Sequence, residues 1–183
     1  MKLAIIILSL LFSAIGLSCS MAETYIQKTG PFIIKASSNE PVTFTVNPAL
    51  PVDNCNPYDV SMDAGSNVIY RLEIQDYAKP INIDENDLMS AILNFNSVSS
   101  EYYTSWELLK VGDKPGIIGT IGQGGEESGY PVYGCVAAYS PDGIGIHGTI
   151  IAIISFNTGQ NNFEQDKAKF EAFIKDIRIL KTG

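Results

Sequence analysis

The stretch from Val132 to Phe156, VYGCVAAYSPDGIGIHGTIIAIISF, constrains this chain more than any other part of it. Two apolar runs, 132–139 and 144–156, flank Ser-Pro-Asp-Gly. Proline at the second turn position and glycine at the fourth suit a type I turn followed by a bulge. If Pro141, Asp142 and Gly143 form the loop, Ser140 faces Ile144, Ala137 faces His147 and Cys135 faces Thr149. One face then holds Val136, Ala138, Ile144, Ile146, Ile150, Ala152 and Ile154. The other holds Tyr133, Cys135, Ala137, Tyr139, His147, Ile151 and Ile153. A strand that is apolar on both faces has to be covered on both. The hairpin is therefore expected at the centre of its sheet, with one helix on each face. The fold class this implies is α+β: a central, mainly antiparallel sheet with helices on both faces, an α/β/α sandwich.

The flanking segments supply the other elements. PFIIKA (31–36) and VTFTV (42–46) read as strands, and 47–57, with three prolines and three asparagines, reads as a loop. YDVSMD and NVIYRLEIQDY read as a hairpin split by Ala-Gly-Ser at 64–66. In its second strand Val68, Tyr70, Leu72 and Ile74 share one face, while Ile69, Arg71, Glu73 and Gln75 share the other, a pattern expected toward a sheet edge. A helix over 84–97 is capped by Asp84 and carries Leu88, Ala91, Ile92 and Phe95 on one stripe. A second, over roughly 162–175, has capping-box spacing from Asn162 to Gln165, with Glu164 and Asp166 in its first turn and Lys175 near its end. Phe163, Phe170, Phe173 and Ile174 make its apolar face, and DIRIL (176–180) closes as a strand. SWELLKV and GIIGTIG are two more strands, followed by a loop, QGGEESGYP.

With 183 residues and no internal repeat, one domain is expected. The first residues, MKLAIIILSLLFSAIGLSCSMAE, have one lysine, an apolar run from Leu3 to Leu17 and then small residues, the layout of a secretory signal peptide. The run is short for a span, which needs about 20 residues. Ser20 and Ala22 occupy the two small positions of an A-x-A-like cleavage site, so the division is 1–22 signal peptide and 23–183 a single α+β domain. Gly-Leu-Ser-Cys offers the alternative of lipidation at Cys19, although Gly16 stands where a strong lipobox has leucine. An uncleaved anchor is the third reading. All three place the domain outside the cytoplasm, secreted or on the outer face of the membrane. The formal net charge of −8 excludes nucleic acid as a natural partner and disfavours an anionic bilayer, leaving membrane contact to the lipid or the anchor.

Few residues suggest chemistry. His147 is the only histidine and shares the expected sheet face with Cys135 and Tyr139, which raises a Cys–His nucleophile pair as one reading. YGCVAAY has no recognised cysteine-protease context, so the plainer reading is a satisfied histidine beside a small apolar cysteine. One histidine and cysteines without C-x-x-C spacing do not make a metal site, and no cofactor is expected. GTIGQGGEESG (119–129) lacks the Lys-Ser/Thr of a phosphate-binding loop, and Glu126 and Glu127 would repel phosphate. Asp53, Asp59 and Asp63 match no EF-hand spacing, and Glu73 and Asp76 read as surface. Tyr102, Tyr103 and Trp106 are candidates for a ligand groove or partner interface, with core filling as the other reading for Trp106. In an oxidising compartment Cys55 and Cys135 are the remaining pair, and a bridge tethering the Pro/Asn-rich loop is expected.

Laid out in this order, the chain resembles the PsbP-like and Mog1-like α/β/α sandwich. The hairpins ending in NVIYRLEIQDY, the helix DENDLMSAILNF, the strands from SWELLKVG to GTIIAIISF and the closing FEAFIKDIRI carry the resemblance, over most of 31–180. It implies a small accessory or binding domain without catalytic residues, often extracytoplasmic, and no photosystem role. The leading expectation is a secreted or surface-tethered non-enzymatic domain that binds an unidentified protein or small ligand at the cell envelope. The rivals are an extracytoplasmic enzyme using the 119–130 loop or the Cys135/His147 face, and a structural envelope protein. The signal-peptide reading is tested by intact mass: exported protein is expected to lack residues 1–22. A mass that retains them contradicts cleavage, and acyl mass on Cys19 selects the lipoprotein.

Overall fold

The computed structural model describes residues 22–65, 68–96, 99–124 and 132–182. The expected leader, with Cys19, and the 125–131 part of the expected glycine-rich loop lie outside the described residues. Ten strands are present among those described: β1 (Glu23–Thr29), β2 (Phe32–Ser38), β3 (Thr43–Asn47), β4 (Cys55–Asp63), β5 (Ile69–Ile83), β6 (Tyr103–Val111), β7 (Lys114–Gly124), β8 (Val132–Tyr139), β9 (Ile146–Thr158) and β10 (Arg178–Lys181). Two helices interrupt them, α1 (Glu85–Asn96) and α2 (Phe163–Asp176). The strands form a seven-stranded sheet, order β3-β4-β5-β9-β8-β7-β6, and a three-stranded sheet, order β1-β2-β10. Every pairing is antiparallel.

This corrects the α/β/α expectation. The fold is β-rich, with two sheets, and the second sheet shares with α2 the task of covering one face of the first. Phe32, Ile34, Ala36 and Ile179 from the small sheet meet Phe170, Phe173 and Ile174 of α2 in a core floored by Val60, Leu72, Ile74, Cys135, Ala137, Ala152 and Ile154. On the other face α1 buries Leu88, Ala91 and Ile92 against Ile117, Val136, Ala138, Ile151 and Ile153. The last strand pairs with β2 instead of joining the main sheet, Ile179 opposite Ile34. β1 carries no period-two apolar alternation, because Tyr25 and Ile26 are adjacent. It is held as a strand by its hairpin with β2, closed by Gly30 and Pro31 between Thr29 and Phe32. Gly30 has φ +52°, and a Cβ there would lie 2.2 Å from the Tyr58 ring, so only glycine lets the hairpin settle on β4.

Local signals account for the helix starts unequally. The Asp84 carboxylate accepts from the backbone N–H of Asn86 (2.8 Å) and Asp87 (3.0 Å), while the Asp87 carboxylate accepts from the N–H of Asp84 (2.9 Å). This is a reciprocal capping box built from two aspartates. The expected Asn162 cap does not form: a 3₁₀ turn over Gln160–Asn162 leads into α2 without a side-chain cap. Instead Asp166, buried in the first turn, accepts from the Thr158 hydroxyl at 2.6 Å and pins the end of β9 to the helix.

β5 is an interior strand, flanked by β4 and β9, and so departs from its expected edge position. Its polar face is satisfied in place: Arg71 donates twice to Asp59 (2.6 and 2.9 Å), which also accepts from Asn47. The Arg71 guanidinium lies over the Phe95 ring of α1, 4.7 Å from its centroid. The central hairpin departs from its expected register. The turn itself forms, Gly143 N–H donating to the Ser140 carbonyl, but Gly143 (φ +114°) and Gly145 (φ +76°) carry the chain away from β8. Residues Ile146 to Gly148 then pair with β5 alone, and β8 meets β9 only from Tyr139↔Ala152 to Tyr133↔Thr158. Odd-numbered residues of β8 thus oppose even-numbered residues of β9, which reverses the expected sharing of faces.

β8 and β9 have strand neighbours on both sides. Amides of Ile150–Ile154 are expected to exchange at the slow, global limit. Within β9, Ile154 is fully buried and Ile146 is 44% exposed. Ile154→Ala is expected to cost about 2–5 kcal/mol in urea unfolding, and Ile146→Ala far less. Equal costs would mean that β9 is not the shared wall of both cores.

Candidate functional site

Among the described residues a concavity opens where three elements of different origin meet: the end of β2, the turn leaving β4 and the C-terminal half of α2. It encloses about 540 Å³, within the range of small-molecule sites. Tyr70 of β5 and Phe173 of α2 floor it, both buried, their ring centroids 4.6 Å apart and tilted by 33°. The rim is polar and mixed in charge, with Ser37, Ser38 and Glu40 on one side and Lys169 and Asp176 on the other. Lys169 stands 3.9 Å from the Asp166 carboxylate. The turn is held by Gly65, with φ +73° and its N–H bonded to the Asp63 carboxylate at 2.9 Å. An apolar floor beneath a hydrogen-bonding rim suits a ligand with one flat or aliphatic part and polar substituents.

This groove was not legible in the sequence. Tyr70 and Phe173 fall on the apolar stripes of a strand and a helix and read as core, which they also are. The glycine and serines read as turn residues. Only the crossing of α2 over β5 beside the end of β2 assembles them.

The residues singled out from sequence are dispersed. Cys135 is fully buried on β8 opposite Phe156, whereas His147 is exposed on β9 opposite Asn82 of β5. Phe156 and His147 are nine positions apart along β9, roughly 30 Å of extended chain. The two share no site, so a Cys–His pair does not assemble. Cys135 lies 3.8 Å from the Thr120 hydroxyl, which Lys167 approaches at 3.4 Å. Burial pushes its thiol up to about 11, against the smaller opposing effects of Thr120 and Lys167. A thiol of this kind is a poor nucleophile.

Cys55 and Cys135 are both free thiols. β4 and β8 are separated by β5 and β9. The Asn56–Asp76–Ile150 line lies six positions along β9 from Phe156, the partner of Cys135. That is roughly 20 Å along the strands alone, beyond the ~7 Å limit between bridged Cα atoms. The Pro/Asn-rich loop is tethered by main-chain bonds instead. Val52 and Cys55 exchange both backbone bonds (2.8 and 2.9 Å) across a tight turn in which Asp53 has φ +49°, and Ala78 N–H donates to the Asn54 carbonyl. Cys55 therefore opens a strand. Burial first, then the charges of Glu73 and Asp76, raise its thiol to about 11.

The remaining candidates take structural places. Tyr103 is buried and stacks on Trp106 (4.6 Å, 20°), and both pack with Tyr102 against the core beneath α1. Gly119 of β7 makes room for the stack: a Cβ there would lie 2.7–2.8 Å from both rings. The first residues of the expected 119–130 loop, Gly119 to Gly124, are strand. Asp59 and Asp63 are engaged by Arg71 and by the Gly65 amide, and no three potential ligands cluster for a metal among the described residues. Asp76, read as surface, binds Lys181 at 2.7 Å and ties the small sheet to the large one. No described helix is long and apolar enough to cross a membrane.

No known family model matches the chain, and no curated protein matches it.

The raised thiols set a pH dependence. Each keeps its proton in the fold to about 11, whereas an unfolded cysteine loses it near 8.5. Folded protein thus holds more protons than unfolded protein between these values, and stability is expected to fall as pH rises through that window. Alkylation of native protein at pH 8 is expected to be slow at Cys55, rising roughly tenfold per pH unit, and slower still at Cys135. Two thiols react after unfolding without reductant. In the 23–183 domain, the loss of both thiols would show the bridge.

Proposed function

We propose that the domain is an extracytoplasmic, non-catalytic binding module whose ligand enters the groove between α2, the end of β2 and the turn after β4. The observation that carries this is the pairing of a buried aromatic floor, Tyr70 and Phe173, with a rim of serines and charges that is open among the described residues. Side chains in a packed core gain nothing from such an opening, since interiors close to near-crystalline density. The groove is instead shaped to receive an apolar group of a few heavy atoms while its polar part is met by Ser37, Ser38 and Lys169. The dispersal of Cys135, His147 and the aspartates supports binding over catalysis, because chemistry needs a nucleophile, a base and a charge stabiliser within reach of one atom. The signal-peptide layout of residues 1–22 supports export, with lipid on Cys19 as the tethered variant.

Ala172, exposed on α2 at the groove wall, provides the test. Ala172→Trp fills the cavity without disturbing a buried position, so the fold is expected to persist with a helix-propensity cost of a few tenths of a kcal/mol. A library of small aromatic and aliphatic compounds, observed by ligand NMR, is expected to yield binders to the wild-type protein that Ala172→Trp no longer holds. Binders equally well retained by Ala172→Trp would place the site elsewhere.

A further inference from the structure

The small sheet has an inner and an outer face, and alternation along its strands assigns each residue to one of them. Phe32, Ile34 and Ala36 of β2 and Ile179 of β10 enter the core, so their neighbours in each strand point away from it. Two rows cross the three strands on the outer face: Ile26, Lys35 and Arg178, then Lys28, Ile33 and Leu180. A third row holds Thr24 and Ser37. None of these side chains is buried, and Ile26 is 62% and Leu180 46% exposed. Each cation is therefore beside an aliphatic neighbour on an open face. A second cavity, of about 340 Å³, lies between β10 and the β6–β7 turn at one margin of this face.

The face carries three cations and no carboxylate, although the chain has 20 Asp and Glu against 12 Lys and Arg. Lys28 and Lys35 form no ion pair among the described residues. Arg178 donates to the carbonyls of Lys175 (3.0 Å) and Ile177 (2.9 Å), neutral partners that leave its charge in place. α2, beside the small sheet, is nearly balanced, with four carboxylates and three lysines. α1, beyond the main sheet, has Glu85 and Asp87 in its first turn and no cation of its own. The outer face of the small sheet and α1 are two packed layers apart, about 20 Å. The screening length at about 0.1 M salt is only about 10 Å. A charged surface touching the small sheet thus interacts with its cations and is screened from α1. The net charge of −8 does not decide what this face attracts.

Chain connectivity points to the same side. β1 begins at Glu23, four positions after Cys19, a reach of about 13 Å. A lipid on Cys19, or an uncleaved anchor, would hold the start of the small sheet within that distance of the bilayer.

We infer that the outer face of the small sheet rests on an anionic phospholipid surface. Lys28, Lys35 and Arg178 meet headgroup phosphates, while Ile26, Ile33 and Leu180 lie toward the acyl chains. Long cationic side chains keep their charge at headgroup level with their stems along apolar groups. The inference does not depend on the groove beside α2.

The 23–183 domain contains all ten strands and both helices, and testing it keeps leader and lipid out of the measurement. The probe is a vesicle of equal parts phosphatidylglycerol and phosphatidylcholine, with pure phosphatidylcholine vesicles and soluble polyglutamate alongside. Each cation at an anionic surface counts for roughly fivefold. Cosedimentation is expected to favour the mixed vesicles by about 25-fold or more at about 0.1 M salt, and the preference to vanish near roughly 1 M. Lys28→Glu with Lys35→Glu is expected to remove the preference at unchanged Tm. Ile26→Gln keeps every charge and is expected to bind severalfold more weakly. Spin-labelled lipid, which needs no variant, is expected to broaden the methyl signals of Ile26, Ile33 and Leu180 and leave those of Met89 and Leu93 on α1 sharp. The inference is overturned by absent binding to mixed vesicles, by equal binding to neutral ones, by undiminished binding of the double variant, or by broadening at α1 instead. Polyglutamate binding as tightly as the vesicles would also overturn it, in favour of an acidic polypeptide.

Discussion

Strand β9 makes contacts on every side that a strand has. β5 and β8 hydrogen-bond to its two edges, Ala152, Ile154 and Phe156 enter one core, and Ile151 and Ile153 enter the other. A strand in this position has no side on which polar residues can be placed, and Ile150–Ile154 accordingly contains none. The covering layers follow from that demand. α1 seals one face with a narrow stripe. On the other face α2 shares the covering with a three-stranded sheet.

The second sheet has to be fixed to the first, because two stacked sheets without specific contacts can slide. The structure uses contacts of several kinds. Phe32 meets the Tyr58 ring edge-on at 5.2 Å, Gly30 brings the β1–β2 turn down onto the same ring, and Lys181 pairs with Asp76 at 2.7 Å. The ion pair is partly screened, since the lysine is 42% exposed, so it fixes register more than it stabilises. The Asp59–Arg71 pair plays a comparable part within the main sheet. Its aspartate is buried, and with Asn47 and Phe95 it lets an interior strand keep a polar face.

Both cavities occur where the α2–β10 segment passes over a turn. The groove lies beside the C-terminal half of α2, and the second cavity lies beside the strand that follows it. Turns cannot interdigitate with a helix as a flat sheet can, so gaps are left there. Binding residues on such a scaffold are held by rigid elements while remaining reachable. The same packing keeps the thiols out of chemistry, because Cys135 is enclosed by α2 and Cys55 is set among carboxylates.

Much of the local structure was determined by the sequence alone. Asp84 and the Leu88, Ala91 and Ile92 stripe specify α1 through a cap and a 3.6-residue period, and two-sided apolarity places β8 and β9 inside a sheet, because these signals are contained in adjacent residues. What only the tertiary structure decided depends on partners distant in sequence. β1 lacks an alternating pattern and is a strand because β2 hydrogen-bonds to it. β10 joins the small sheet and not the large one. A one-residue change of parity at Gly143 and Gly145 sent His147 away from Cys135, since the period of a strand is two and no local energy distinguishes the two registers. Cys55 and Cys135 looked like a pair by elimination, and strand order set two strands between them. Tyr70 and Phe173 read as ordinary core residues, and became candidate site residues only where packed elements met without filling the space between them.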